Sequence, residues 1–127
     1  MKLIRNEGFL FLLGDIVTIG LIRLVLYFFP INPKIGQIYL HHGYFGVFGI
    51  ILSGVLLSFF LKGKRLRYLF SFVFGASFAA TLDEFNLFIL NGGGFVYANE
   101  LTVALDIVAL VLGALLYLTY IFLKRHE

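Results

Sequence analysis

Two adjacent carboxylates, Asp83 and Glu84, lie inside a long apolar segment and are the residues of the chain best suited to chemistry. Small residues crowd the turns just before them, in the run Phe74-Gly-Ala-Ser-Phe-Ala-Ala-Thr-Leu82. A charge near the centre of a bilayer costs at least about 2.5–3.5 kcal/mol. Neighbouring acids in a medium of low dielectric constant do not both stay ionised without compensation. The pair therefore needs a basic partner, a proton or a bound cation.

Three further ionisable residues, each in a different apolar segment, are candidates for that partner. Arg23 offers a guanidinium that pairs with a carboxylate or with an anionic group of a substrate. His42 offers an imidazole, and Asp106 a third carboxylate. Imidazole nitrogen combined with carboxylate oxygen is a ligand set that Zn²⁺, Mn²⁺ or Fe²⁺ accepts.

These residue types suggest a site with a divalent metal ion as cofactor. In that hypothesis Asp83 and Glu84 are the catalytic acids, while Arg23 and Asn86 bind the substrate. The metal ligands are His42, Asp83, Glu84 and Asp106.

The composition places this chemistry in a membrane. Of the 127 residues 61% are hydrophobic and only 13% are charged, and the mean hydropathy is +0.99. A soluble domain of this size has too little interior to bury so much apolar surface. The absence of cysteine excludes disulfides, thiolate metal sites and thiol catalysis. We expect a single transmembrane domain over residues 1–127. Its surroundings are the lipid bilayer, and we expect no nucleic acid as a partner.

Apolar segments of about 20 residues, the length that crosses a hydrocarbon core, occur four times. They cover residues 9–29, 41–61, 68–90 and 101–123. Pro30 and Pro33 close the first segment, since proline cannot donate the backbone hydrogen bond that a helix needs. The sequence therefore predicts an all-α polytopic membrane protein, a bundle of four transmembrane helices joined by short loops.

Basic residues fall at both termini and in the middle connection, while the other two connections hold only Lys34. By the positive-inside rule, both termini and the middle loop are cytoplasmic. The location predicted is the cell membrane. The residues that carry this prediction are Lys2, Arg5, Lys62, Lys64, Arg65, Arg67, Lys124 and Arg125.

The depth of each ionisable residue follows from a rise of about 1.5 Å per residue. Asp83 lies about 24 Å from the cytoplasmic start of its segment, and Arg23 about 22 Å along the first. Asp106 lies about 8 Å below the outer surface, close to the level of His42. Each segment thus brings one ionisable residue to the outer third of the bundle. Asp15, about 10 Å from the cytoplasmic side, is the exception.

Helical spacing also predicts which way the residues of the second segment face. His42 shares a face with the small residues Gly46, Gly49 and Ser53. Small residues mark the side on which membrane helices approach each other, so we expect His42 to point inward. His41 falls on a face with bulky phenylalanines, and we expect it at the membrane interface.

The same spacing argument applies to the third and fourth segments. Asp83 shares a face with Ala79, and Asp106 shares one with Gly113. Both acids are therefore predicted to point inward. Glu84 lies about 100° from Asp83 around the helix, at the edge of the same face.

Three functions are compatible with these residues. The first is a protein that binds a cation or metal and acts on a lipid or small amphiphile, with an acid that activates water. The second is a proton- or ion-coupled carrier, working as a homodimer because four short helices enclose little space, with Asp15 at the inner end of its path. The third is an accessory subunit of a larger membrane complex, in which the buried charges form a structural ion-pair network.

Overall fold

The computed structural model describes residues 6–29, 34–35, 38–39, 41–85 and 100–125, with side chains over 6–29, 41–85 and 103–124. These residues form helices α1 (Glu7–Phe28), α2 (His42–Val55), α3 (Lys64–Asp83) and α4 (Glu100–Arg125). Helix α2 continues into a π-helical turn, Leu56–Phe60. The prediction of an all-α fold with four helices is confirmed for this part of the chain.

A short strand pair occupies the connection that the sequence predicts as a loop. Strand β1 (Lys34–Ile35) pairs antiparallel with β2 (Ile38–Tyr39), Lys34 opposite Tyr39 and Ile35 opposite Ile38. The pair lies between α1 and α2, after the two prolines of the sequence.

Three of the helical segments that the structure describes are long and apolar enough to cross a membrane: Glu7–Phe28, His42–Phe60 and Val103–Lys124. Helix α3 is not among them. It begins four residues before the predicted start at residue 68 and ends at Asp83, and residues 86–90 of the predicted segment lie outside the described residues. Basic residues in its first turn and the carboxylate at its last position reduce its mean hydropathy.

Helix α3 lies at the centre of the bundle and packs on α1, α2 and α4. It runs parallel to α1, because Glu7 pairs with Arg67 at one end and Arg23 with Asp83 at the other. The α1–α3 contact is close enough that a Cβ on Gly75 would collide with the carbonyl oxygen of Phe11. Glycine is therefore required where these backbones meet.

The bundle is polar inside and apolar outside. Among the described residues, six polar side chains are buried against only four apolar ones. Large apolar side chains instead cover the surface, with Phe45 65% exposed and Phe59 76% exposed. A water-soluble protein rarely exposes such a continuous apolar surface, so this distribution fits a lipid environment.

The two ends of the bundle have different ion pairs, and we name each end after one residue there: the Arg67 end and, opposite to it, the His42 end. At the Arg67 end, the guanidinium donates to both carboxylate oxygens of Glu7, at 2.8 and 3.0 Å. These hydrogen bonds raise the pKa of Arg67 above its usual value. Arg67 Nη1 also donates to the carbonyl oxygens of Leu57 and Leu61 at 2.9 and 3.0 Å, one within the π-helical turn and one directly after it.

Candidate functional site

Arg23 connects three helices at the His42 end. Its Nη2 donates to Asp83 Oδ1 at 2.5 Å, and its Nε donates to Asp106 Oδ2. Asp83 is 1% exposed and Asp106 is 7% exposed. The ion pair predicted for Arg23 is confirmed, and one guanidinium from α1 links the carboxylates of α3 and α4.

His42 lies between the two adjacent acids. Its Nε2 is 2.7 Å from Asp83 Oδ2, and its Nδ1 is 3.1 Å from Glu84 Oε1. The inward orientation predicted for His42 is confirmed. The neighbouring small residues behave as predicted, since a Cβ on Gly46 would meet the backbone nitrogen of Thr81 at 2.8 Å. Close packing of α2 on α3 therefore sets the position of the imidazole.

Glu84 is more deeply buried than its sequence position suggests. Helical spacing places it at the edge of the inward face, yet it is 2% exposed. The helix ends at Asp83, and Glu84 has φ −100° and ψ 12°, so its side chain does not continue the helical rotation. Its Oε2 accepts a hydrogen bond of 2.6 Å from the backbone N–H of Gly43. Glu84 thus stabilises the positively polarised start of α2.

His41 joins the same site, although its predicted face on α2 is not the one that carries His42. Its Nδ1 lies 3.5 Å from Glu84 Oε1, and its side chain is 14% exposed. The prediction treats His41 as a helical residue, but it is the N-cap of α2, with φ −96° and ψ 128°. Extended backbone at this position directs the side chain away from the bulky face. A prediction that began the helix at His42 would have left His41 outside the helical rotation and so allowed it to join the site.

We refer to Arg23, His41, His42, Asp83, Glu84 and Asp106 as the polar cluster. The structure thus brings together most of the predicted site and adds His41 to it. Asn86, predicted to bind substrate, lies outside the described residues.

Beside the polar cluster, a groove of about 250 Å³ runs between α2 and α3. His42 lies at one end of it, and residues that include Phe45, Phe72 and Ala76 line the remainder. The groove provides an apolar approach to the imidazole from the side of the bundle.

The metal-site prediction finds no support in the described residues, where no group of three or more His, Cys, Asp or Glu could hold a metal ion. The geometry explains this. Both ring nitrogens of His42 face carboxylate oxygens, whereas a histidine ligand needs one nitrogen free to bind the metal. Arg23 meanwhile engages the carboxylates of Asp83 and Asp106. The side chains therefore pair with one another instead of converging on a common point.

Asp15 is separate from the polar cluster. It is 0% exposed. Its carboxylate lies against Gly113 of α4, where a Cβ would collide with Oδ2. The small-residue stripe of α4 that the sequence predicts, with Asp106 and Gly113 on one buried face, is confirmed.

Comparisons with protein-family models, with curated proteins and with solved structures find no match. The function is therefore argued from the residues of the site.

Proposed function

We propose that the chain is a small polytopic protein of the cell membrane, with both termini cytoplasmic, and that its polar cluster is the proton-binding site of a proton-coupled carrier. The basic residues at both termini and in the α2–α3 connection support this orientation. Helix α3 crosses together with the other three helices. Its central position supports this, because a helix covered by three others needs less apolar surface than one exposed to lipid.

The observation that carries the proposal is the position of His42 between two carboxylates. Ionised carboxylate oxygens only accept hydrogen bonds. Both contacts are hydrogen bonds only if both ring nitrogens carry protons, or if one carboxyl group supplies the proton. In either arrangement the three side chains hold one proton more than a neutral imidazole and two carboxylates. Loss of that proton leaves a nitrogen lone pair facing a carboxylate.

The charge of the whole cluster leads to the same conclusion. Its three carboxylates, Asp83, Glu84 and Asp106, face one permanent cation, Arg23. Among the described residues, the two remaining negative charges are compensated only when the cluster takes up two protons, on the histidines or on the carboxylates themselves. Because uncompensated charge is unfavourable in a membrane interior, proton binding and neutrality of the site are coupled. The protons belong to the cluster as a whole and not to one residue.

The groove between α2 and α3 supports a carrier with an apolar or amphiphilic solute. Its walls suit an apolar group, and its end at His42 suits a polar one. Solute in the groove contacts the same imidazole that holds the exchangeable proton. Binding of the solute therefore changes the affinity for the proton, and binding of the proton changes the affinity for the solute. We propose a homodimer, since a single bundle of four helices encloses little space for a path.

Proton flux into liposomes tests the proposal. The purified chain is reconstituted with a pH-sensitive dye inside, and an inward proton gradient is applied. We expect flux in the wild type and loss of most of it in His42→Gln and Glu84→Gln. Glu7→Gln is the matched control, because it removes a carboxylate at the Arg67 end and leaves the cluster intact.

Equal flux in the wild type and in correctly folded cluster variants would contradict the proposal. Metal content is measured on the same preparations. One metal ion per chain, absent from Asp83→Asn, would instead favour a metal site, and an inert bundle without metal would favour a structural network in an accessory subunit.

A further inference from the structure

We propose that Asp15 is a second proton-binding site, distinct from the polar cluster, and that its carboxyl group is in the neutral, protonated form in the folded protein at neutral pH. This inference concerns a different residue and does not depend on transport by the cluster. It rests on the burial of Asp15, on the absence of a hydrogen-bond partner for its carboxylate among the described residues, and on what lies to either side of it.

The first observation is that Asp15 is fully buried and uncompensated. It is 0% exposed, and neither of its carboxylate oxygens has a hydrogen-bond partner among the described residues. An isolated ionised carboxylate is so unfavourable in an apolar interior that such a group takes up a proton instead. The protonated form removes the charge and leaves only a neutral polar group to bury.

The helices packed against Asp15 supply no charge that would stabilise the ionised form. Helix α4 presents Gly113, with Asp106 toward the His42 end and Tyr117 toward the Arg67 end. Asp106 is an acid and disfavours a second negative charge nearby. Between Arg67 and Asp83, the only titratable residue of α3 is Tyr68. Within α1 itself, Glu7 and Arg23 are each two turns away, and both are paired with other helices.

An apolar layer separates Asp15 from the polar cluster. Ile19, Ala79 and Ala109 form a buried core, with Leu82 and Leu110 packed against it. Ile19 is one turn from Asp15 and one turn from Arg23 on the same helix, so the layer lies between the two polar levels. The proton on Asp15 is therefore not shared with the cluster through a chain of hydrogen bonds among these residues.

On the other side, a cavity of about 240 Å³ approaches Asp15 from the Arg67 end. Glu7, Gly8, Phe11 and Leu116 are among the residues that line it. Phe11 is one helical turn from Asp15, and Leu116 is about one turn from Gly113. The cavity therefore ends about one helical turn from Asp15, on the side of Asp15 opposite to the polar cluster.

Solid-state NMR of the full chain in lipid tests the inference directly. The sequence contains only three aspartates, Asp15, Asp83 and Asp106, so a sample labelled with ¹³C at the aspartate side-chain carboxyl gives three resonances. The chemical shift of this carbon distinguishes the protonated from the ionised form. At neutral pH we expect one resonance at the protonated position, lost in Asp15→Asn and unchanged in Glu7→Gln. No flux measurement is involved, so this test and that of the proposed function can fail separately.

The wild type alone also decides the question if Asp15→Asn does not fold. Labelling glycine Cα as well identifies Asp15 through its short carboxyl-to-Gly113 distance. Three ionised aspartates would overturn the inference. So would the finding that Asp15→Asn loses no protonated resonance, or that no protonated resonance shows proximity to a glycine Cα.

Discussion

Two levels of the same helix pair place buried acids in opposite circumstances. At the His42 end, α1 presents Arg23 to Asp106 of α4. Two turns away, α1 presents Asp15 to Gly113 of the same helix. At the first level a guanidinium pairs with carboxylates, and at the second the Asp15 carboxyl group has no hydrogen-bond partner among the described residues.

The difference shows that burial alone does not define the state of an acid in this bundle. Asp83 and Asp15 are equally inaccessible, at 1% and 0% exposure. Asp83 contacts a guanidinium and an imidazole, and the ionised form is stabilised by both. Asp15 has neither, and we infer the neutral form. The side chains that the facing helices present at each level decide whether the acid is ionised or neutral.

The largest effect is expected from Arg23→Gln, which removes the permanent cation of the polar cluster. Breaking a buried ion pair by removal of one partner leaves an uncompensated charge and costs about 3–5 kcal/mol. Because the Arg23 side chain is 29% exposed, we expect a value at the lower end, about 3 kcal/mol. Unfolding in mixed micelles by a denaturing detergent measures it.

The double variant Arg23→Gln with Asp106→Asn is the control for this prediction. It removes one cation and one anion together, and we expect it to recover a large part of the lost stability. Equal stability of Arg23→Gln and the wild type would mean that the cluster does not depend on charge compensation.

The next largest effect is expected from Gly113→Ala at the Asp15 level. The added methyl group collides with the Asp15 carboxylate, and overpacking of a well-packed interior costs about 1–3 kcal/mol. Asp15→Ala in the same chain removes the colliding group and should restore most of the stability. A double-mutant cycle measures this coupling, and additive effects would show that the two residues do not touch.

A smaller difference is expected between the two histidines. His42 approaches two carboxylates at 2.7 and 3.1 Å, whereas His41 approaches one at 3.5 Å. A hydrogen bond to a charged group contributes about 1.5–3 kcal/mol, so His42→Gln should destabilise the bundle clearly more than His41→Gln. Detergent unfolding of both variants at the same pH tests the order, and a larger effect at His41 would contradict it.

The convergence of the cluster was predictable from sequence because it depends on helix periodicity and depth. Arg23, His42, Asp83 and Asp106 are buried or partly buried helical residues, and a rise of about 1.5 Å per residue brings them to one level. The faces that carry small residues indicated which side of each helix points inward. These rules held for residues within the helices, including His42 at the first position of α2 and Asp83 at the last position of α3.

The same rules failed where a helix begins or ends. Glu84 follows the last residue of α3, and His41 precedes the first residue of α2, so helical rotation does not describe either side chain. The strand pair 34–35 and 38–39 was also missed, because segments of two residues show no periodic pattern. The contact between Asp15 and Gly113 could not be predicted without knowing how α1 and α4 are aligned along their axes. The alignment that pairs Arg23 with Asp106 also places Gly113 opposite Asp15.

The smallest effect is expected from Asp15→Asn, and it gives the sharpest contrast with Asp83→Asn. An amide has nearly the shape of a protonated carboxyl group, so replacement of a neutral Asp15 should change stability by no more than about 0.5 kcal/mol, as for substitutions that disturb no specific interaction. Asp83→Asn has the same change of atoms, but it removes a charge that pairs with Arg23 and His42. We expect its loss of stability to exceed that of Asp15→Asn several-fold in the same unfolding assay. If the two variants lose equal stability, Asp15 is ionised and compensated in the folded protein, and the distinction between the two levels is wrong.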